Sequence, residues 1–496
     1  MSEAAPRRSG SRSRPSRNRS RPRRAPVLLA AAGVLGVLAL AGAAAAIEHV
    51  GVMPRTLAPY IEKRSSGHNP AIVAAGRQVA HGLIALDRGD VQPVALPALA
   101  LGAQPAGVPA RAGGPEIAVD SPAALRAALA RAEPGTTIVL APGTYRIAGA
   151  ALDANRPGRE DAPITVRAQR PGSARLEFDT VEGFRVSAPW WRFENLDIRG
   201  VCGDDAFCEH AFHVVGEANH FAAVNNAVTD FNAHFKVNGA GGRFPDDGLI
   251  ASNTLAGARP RKTANPVAFI DMVGVNRWTV RANVIRDFVK DDGDRVSYGA
   301  YAKGAGSGNV FERNLVWCEQ ALVGRAGQRI GLSLGGGGTG KPYCRDQQCI
   351  TEQQGSTLRA NLVVGCSDVG IYLNSAADSR VEDNTLVDTA GIDVRFPTSS
   401  ARLDGNLVDG PIRSRDGGLL HEGDNRTSGL WQSFIGVHPV RAAFARPGEG
   451  DFSWDGGMPR RAGRATGTGL CGLAREREAA YGAFDSFAAC LGAPAP

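Results

Sequence analysis

Residues 361–408 read NLVVGCSDVGIYLNSAADSRVEDNTLVDTAGIDVRFPTSSARLDGNLV, and one phrase recurs in them: Asn361-Leu362-Val363, Asn384-Thr385-Leu386 and Asn406-Leu407-Val408. The same phrase, an Asn followed by apolar residues, stands upstream at Asn226-Ala227-Val228, Asn253-Thr254-Leu255, Asn283-Val284-Ile285 and Asn314-Leu315-Val316. Successive intervals are 27, 30, 31, 47, 23 and 22 residues. A floor near 22 with longer gaps marks a coil repeat that accepts loop insertions. Each coil needs short strands whose apolar side chains stack on the same position one coil along. An Asn at the bend tolerates left-handed backbone angles, and its amide, turned inward, can bond main chain and the equivalent Asn above and below. Gly370-Ile371-Tyr372-Leu373-Asn374 and Gly391-Ile392-Asp393-Val394-Arg395 alternate apolar and polar residues, which buries one face and wets the other. Parallel coils wind right-handed. The expected fold is all-β, a right-handed parallel β-helix. A leucine-rich repeat of similar period would need a fixed Leu-x-x-Leu-x-Leu frame, which is absent.

The formal charge of +7 belongs to one end of the chain. Residues 1–25 hold nine Arg and one Glu, leaving 47 basic and 48 acidic residues in the rest. That balance gives no basis for nucleic-acid binding. Residues 1–24 are a Ser/Arg/Pro tail expected to be disordered. Pro26 to Ile47 carry no charge and are long enough to cross a bilayer. With the Arg block before it, this segment reads as a transmembrane helix with its amino end in the cytoplasm. The expected localisation is therefore the inner membrane, with a lipid bilayer as partner and the remainder periplasmic or outside the cell. A cleaved signal is the competing reading, since Ala-Gly-Ala-Ala-Ala-Ala suits a peptidase, and Arg23-Arg24 faintly suggests a twin-arginine signal. Residues 48–114 read as a stalk or linker.

Eight Cys agree with export: Cys202/Cys208, Cys344/Cys349 and Cys471/Cys490 lie close in sequence. Cys318 and Cys366 each follow an Asn phrase on adjacent coils, and no spacing suits zinc. Asp120-Ser121-Pro122 caps a short helix with Leu125, Ala128 and Leu129 on one face, placed to cover the open end of the solenoid. The repeat fades past Asp409. Residues 411–496 are expected to form an irregular cap with a terminal helix from Ala474 to Leu491.

After that capping helix come "GTTIVLAPGTYR", "APITVRAQRPGSARLEF" and "WWRFENLDIRG". Together they resemble the start of pectate-lyase-like right-handed β-helices, most of all the polysaccharide lyases that include chondroitinase B and alginate lyases. The likeness covers about residues 115–410. It implies an acidic polysaccharide as partner and β-elimination as the activity.

In such a solenoid the ligand lies along one outer sheet. Placing the apolar members of each strand inward leaves an outward set: His234, Lys236, Asp271, Tyr301, Lys303, Ser333, Tyr372, Asn374, Asp393 and Arg395. Lys236, Asp271, Tyr372, Asn374 and Asp393 are candidate substrate-binding residues, with cations for carboxylates and an aromatic ring for a sugar face. Elimination from a uronate needs a base at the C5 proton and a cation for the enolate-like charge. The resemblance gives the base role to Lys303 in "YAKGAGSGNVFERN", with His234 or Tyr301 as proton partner and Arg395 or Lys236 holding carboxylates. The bland reading is a solvated Lys303 pairing with Asp271.

The sequence departs from the lyases in two places. Their next coil carries an Arg followed by His, where this chain has Ser333-Leu334 and a Gly run. Their two calcium-binding Glu align with Val296 and Tyr298. No metal or other cofactor is therefore expected; calcium would need other ligands, and Asp291, Asp292 and Asp294 read as a solvated loop. Gly335 to Lys341 lacks the Ser or Thr of a phosphate loop and reads as a flexible insertion. Arg243 to Asp247 form an insertion that overhangs the ladder, and His210 and His213 have no metal-ligand spacing. The alternative function is a non-catalytic glycan-binding or envelope-structural module using the same ladder.

Overall fold

The computed structural model describes residues 1, 38, 41, 42, 44–49, 51–110, 113–336, 338–461, 467–475 and 478–492. The chain divides into Met1–Val50 and Gly51–Pro496. The expected basic tail, the twin-arginine pair and most of the apolar segment fall outside the described residues. Among those described, no helix is long and apolar enough to cross a membrane.

From Glu116 onward the chain winds through three parallel sheets of 12, 11 and 10 strands, each coil giving one short strand to each sheet. Stacking is in register. Phe184, Phe212 and Phe235 form one inward column, with ring centroids 5.4 and 5.0 Å apart. Ile270, Ala300, Leu332, Ile371 and Ile392 continue it. Parallel strands joined across such coils leave no side exposed to edge pairing, so only the two ends need covers. At the first end a helix, Pro122–Arg131, buries Leu125, Ala128 and Leu129. Ser121 caps it, its hydroxyl accepting from the Ala124 N–H at 3.3 Å.

The phrase Asn residues make the expected inward ladder, but the left-handed position at each bend is the residue before: Asn225, Ser252, Ala282, Arg313, Ala360, Asp383 and Gly405. Asn226, Asn253, Asn283, Asn314, Asn361, Asn384 and Asn406 are each fully buried. Each Nδ2 donates to the Oδ1 of the next at 2.9–3.0 Å. The same Oδ1 also accepts that neighbour's backbone N–H. The ladder ends on Asn425 at 2.8 Å, so the solenoid runs one coil past the expected boundary at 410, to Arg426–Thr427. That last coil escapes a search for apolar phrases because polar residues follow Asn425, and its strands are largely exposed. The expected terminal helix is absent among the described residues: turns and a single 3₁₀ segment, Phe487–Cys490, stand in its place. Cys202–Cys208, Cys318–Cys366, Cys344–Cys349 and Cys471–Cys490 are disulfides.

The segment read as a stalk is built into the β-helix unit. It opens with α1 (Pro54–Ser65) and α2 (Pro70–Arg88). Arg55, fully buried, donates to Asp87 and to the Cys366 carbonyl, and pairs with Asp388 at 2.9 Å. Arg88 pairs with Glu319 and Asp388, both at 2.9 Å, and Arg441 pairs with Asp409 at 2.9 Å. Burial alone would raise the Asp388 carboxyl, but Arg88, Arg55 and Arg441 hold it below its ordinary value.

Residues 92–108 then run back along the solenoid. Val94 donates its N–H to the Gln320 carbonyl, Gly102 to that of Ala282 and Ala103 to the Thr254 hydroxyl. Gln104 and Val108 follow, donating to the Asn225 and Asn195 side chains, and Arg167 donates to the Val108 carbonyl. The linker is a strap because its backbone groups find partners on one coil after another.

Candidate active site

The ten-stranded sheet carries the candidate residues, and register fixes their columns. His213, Lys236, Asp271, Tyr301, Ser333, Tyr372, Asp393 and Arg413 pair in sequence, one per coil. Two residues along each strand a second column holds Val273 beside Lys303, then Asn374 beside Arg395 and Arg415. Coils in such a stack are about 4.8 Å apart.

A groove of about 700 Å³ opens over the first half of these columns. His210, His213, Lys236, Asn238 and Lys303 face it. One wall is the Gly239–Phe244 stretch, overlapping the expected overhang of Arg243 to Asp247; the other is the segment around Thr339–Arg345, part of the insertion that lengthens the 47-residue interval. Arg345 ties the walls together, donating to the Gly274 carbonyl and the Asp246 carboxylate, both at 2.7 Å, and lying over the Phe244 ring.

Lys303 is half-buried, its Nζ 4.6 Å from the centroid of the Tyr301 ring. Burial lowers its pKa; Asp271 opposes this and Lys236 adds to it, for a net value below the ordinary one. Asp271 is buried and accepts from Lys236 Nζ at 2.7 Å. Burial would raise this carboxyl, but Lys236 and Lys303 keep it below the usual range. Tyr301 is buried beneath Lys303, and desolvation together with the Asp271 charge keeps its hydroxyl protonated. Buried Glu352 accepts from the Gly304 N–H at 2.8 Å and the Thr339 hydroxyl at 2.9 Å, fixing the backbone after Lys303 to the wall above it.

The structure thus brings together Lys236, Asp271, Tyr301 and Lys303. Lys236, rather than Lys303, is the bonded partner of Asp271. Tyr372, Asn374, Asp393 and Arg395 lie two and three coils further along, outside the groove. Arg395 bonds the Tyr372 hydroxyl at 3.2 Å and the Asp416 carboxylate at 2.5 Å. Asp393 is fully buried between Arg413 and Arg415, at 2.6 and 2.5 Å. At three coils, or roughly 14 Å, Arg395 is too far from Lys303 to act on the same sugar, so its expected catalytic role gives way to one in binding or structure.

His234 is a correction. It is fully buried, stacked on Phe269 at 3.8 Å, and neither ring nitrogen has a partner. The strand bends at this corner, and two successive residues turn inward. The next coil places Phe269 at the equivalent position and the coils after it Gly: a Cβ on Gly299 would meet Val316 at 2.9 Å, and one on Gly331 would meet Val363 at 2.6 Å. Burial pushes the His234 imidazole well below its ordinary value, so it stays neutral and cannot serve as proton partner on the outer face.

His213 and His210 are floor residues that the Asn register did not reach, because their strand, His210–Val215, precedes the first phrase at Asn226. His213 bonds Glu182 through Nδ1 at 2.7 Å and Asn238 Oδ1 through Nε2 at 2.9 Å. His210 is pushed down to about 4 by burial, His213 and Lys236. Its native value lies below the unfolded value of 6.5, so the stability it confers is present above pH 6.5 and is lost as pH falls toward 4. Thermal melts from pH 7 to 4.5 should therefore show a smaller acid-side drop for His210→Gln than for the parent chain. Equal drops would remove His210 from the acid sensitivity.

Calcium does not fit the groove. Val296 and Tyr298 offer no carboxylate there, and Asp271 is flanked by two ammonium groups. Asp294 binds Lys290 at 2.7 Å and Asp292 caps the Gly293 N–H. The one cluster of metal-type side chains among the described residues, Cys344, Asp346 and Cys349, contains a disulfide.

Three stacked parallel sheets with a helix over the first end make the chain a parallel β-helix. Its path is similar to that of pectate lyase Pel9A, at 16% identity and a TM-score of 0.51, over 75% of this chain and 97% of that one. Pectate lyase L of Dickeya chrysanthemi is 34% identical over 92 residues, which is 16% of this chain and 22% of that protein. Pectate lyase L of Dickeya dadantii is 30% identical over 115 residues, 21% and 26%. The matches thus span about a quarter of the length of these curated relatives. An alginate lyase from Paenibacillus sp. aligns over 63% of this chain at a TM-score of 0.34, too low to bear on the argument. No family model matches the chain.

Proposed function

We propose that the chain is an exported, membrane-anchored protein that binds an acidic polysaccharide in this groove and cleaves it by β-elimination. The observation that carries the reading is the state of Lys303: a partly desolvated lysine with a lowered pKa, at the floor of a groove that also presents Lys236 and His213. An amine that gives up its proton more readily than free lysine suits removal of a C5 proton. Lys303 Nζ takes that proton, the electron pair forms the C4–C5 double bond, and the C4–O bond breaks, its oxygen taking a proton from solvent. Lys236 lies one coil beyond Asp271 and favours the negative charge that builds on the uronate carboxylate. The partial identity to pectate lyases supports a uronate-containing substrate.

The second reading, a binding module without catalysis, is favoured by the engagement of Lys236 with Asp271 and by Ser333 where the lyases have Arg. Incubation with polygalacturonate, alginate and chondroitin distinguishes them through absorbance of unsaturated uronate ends. A rise with one of these glycans supports the enzyme. Saturable binding with no absorbance change replaces it with the module.

A further inference from the structure

Among the large apolar side chains that the described residues leave open to solvent, one group lies outside the groove lining. Ile72, Val79 and Leu86 of α2 are 45%, 52% and 42% exposed. Their spacing of seven puts them on one helix face, and Ala75 and Gly82 between them are also exposed. The adjoining face holds buried Gly76, Ala80 and Asp87. The stripe continues onto a loop from the C-terminal region. His438 Nε2 meets the Leu86 carbonyl at 3.1 Å, and Gly436 lies against Leu86, between exposed Ile435 and Val437. Trp431, 39% exposed, lies a few residues before them.

Contiguous apolar surface of this kind marks an interaction site. Its charge favours one partner. α2 exposes Arg77 and no carboxylate, since Asp87 is buried in its pair with Arg55. Lys63 and Arg64 close α1, and with Arg77 they outnumber the exposed carboxylates nearby in sequence, Glu62 and Asp90. A basic rim around a shallow apolar face suits the interface of an anionic bilayer. The chain supplies a reason for a bilayer to be near: only six residues separate the uncharged run Pro26 to Ile47 from Pro54. Six residues reach at most about 20 Å.

We infer that the α1–α2 hairpin and the 435–437 loop form a docking face that lies on the lipid surface, resting on the anchored reading of residues 26–47 but not on the lyase reading. The ion pairs of Arg55, Arg88 and Arg441 make this face rigid with the solenoid. The groove is then carried at a fixed attitude to the membrane rather than on a free stalk.

The full chain, reconstituted in vesicles of phosphatidylcholine and phosphatidylglycerol, tests this. A benzophenone amino acid at Val79 should photocrosslink to lipid, and the same group at Ile350, exposed a few residues past the groove wall, should not. In the chain without the label, brominated phosphatidylcholine should quench tryptophan fluorescence, and Trp431→Phe should remove most of that quenching. Val79 adducts to a second copy only, adducts to nothing, equal lipid labelling at Ile350, or failure to associate with vesicles would each overturn the inference. Polysaccharide cleavage is not read in any of these measurements, so their failure is separable from failure of the proposed activity.

Discussion

Lys303→Ala is expected to lower the rate of unsaturated-uronate formation by about 10²–10⁴-fold, the usual worth of a positioned general base. Substrate binding should change far less, because Lys236 and His213 remain on the groove floor. The fold should survive: Lys303 is half-buried on the outer face, its stem lying near Gly336 and its ammonium over the Tyr301 ring. Lys303→Arg restores the charge without an amine that deprotonates in this range, and should be as inactive as the Ala variant. The pH profile gives an independent check. Burial and Lys236 hold the Lys303 pKa down, so the ascending limb of kcat/KM should lie below the ordinary lysine value. Lys236→Met removes a like charge and frees Asp271 to attract Lys303. Both effects raise the Lys303 pKa and should move that limb to higher pH. An unchanged rate in Lys303→Ala would take the base role from this residue.

The largest expected loss of stability is at the Asn ladder. In Asn361→Ala the Asn314 N–H and Nδ2, the Asn384 Oδ1 and the Phe311 carbonyl all lose a partner inside the core. Unsatisfied buried groups cost about 1–3 kcal/mol each. With some relaxation the loss should be on the order of 4 kcal/mol, seen as a lower denaturation midpoint. Asn374→Ala serves as the control. This Asn is also buried, but its Oδ1 has no partner and it stands outside the ladder. Its effect should stay within about 1 kcal/mol. Equal losses at the two positions would mean that the ladder bonds contribute nothing beyond ordinary packing.

The solenoid was legible because one requirement, an Asn turned inward at the same bend, recurs at every coil from 226 to 406. The same register correctly placed Lys236, Asp271, Tyr301, Ser333, Tyr372 and Asp393 in one column. It misplaced His234 because period-two alternation assumes a straight strand, and here the chain bends so that His234 and Phe235 both face in. The glycines at 299, 331, 370 and 391 were the available sign, since they share the coil position of His234 and Phe269, whose side chains point into the core. The groove itself was not legible. Its walls are insertions, and nothing in a repeat says where an insertion folds over. The docked α1–α2 hairpin was hidden for a related reason: its ion pairs join residues about 300 positions apart, and local composition shows only Arg and Asp among Ala and Gly.

The strap and hairpin also bear on the order in which the molecule can be completed. The strap crosses the coils from late to early, and the hairpin is seated against Glu319, Asp388 and Arg441. During synthesis or translocation these N-terminal segments therefore emerge hundreds of residues before their seats exist. The growing solenoid can lengthen from its capped end by adding one coil to the last, yet its first-made helices must wait for the final ones. Assembly closes like a clasp, and a chain stopped short of residue 388 would keep that clasp open.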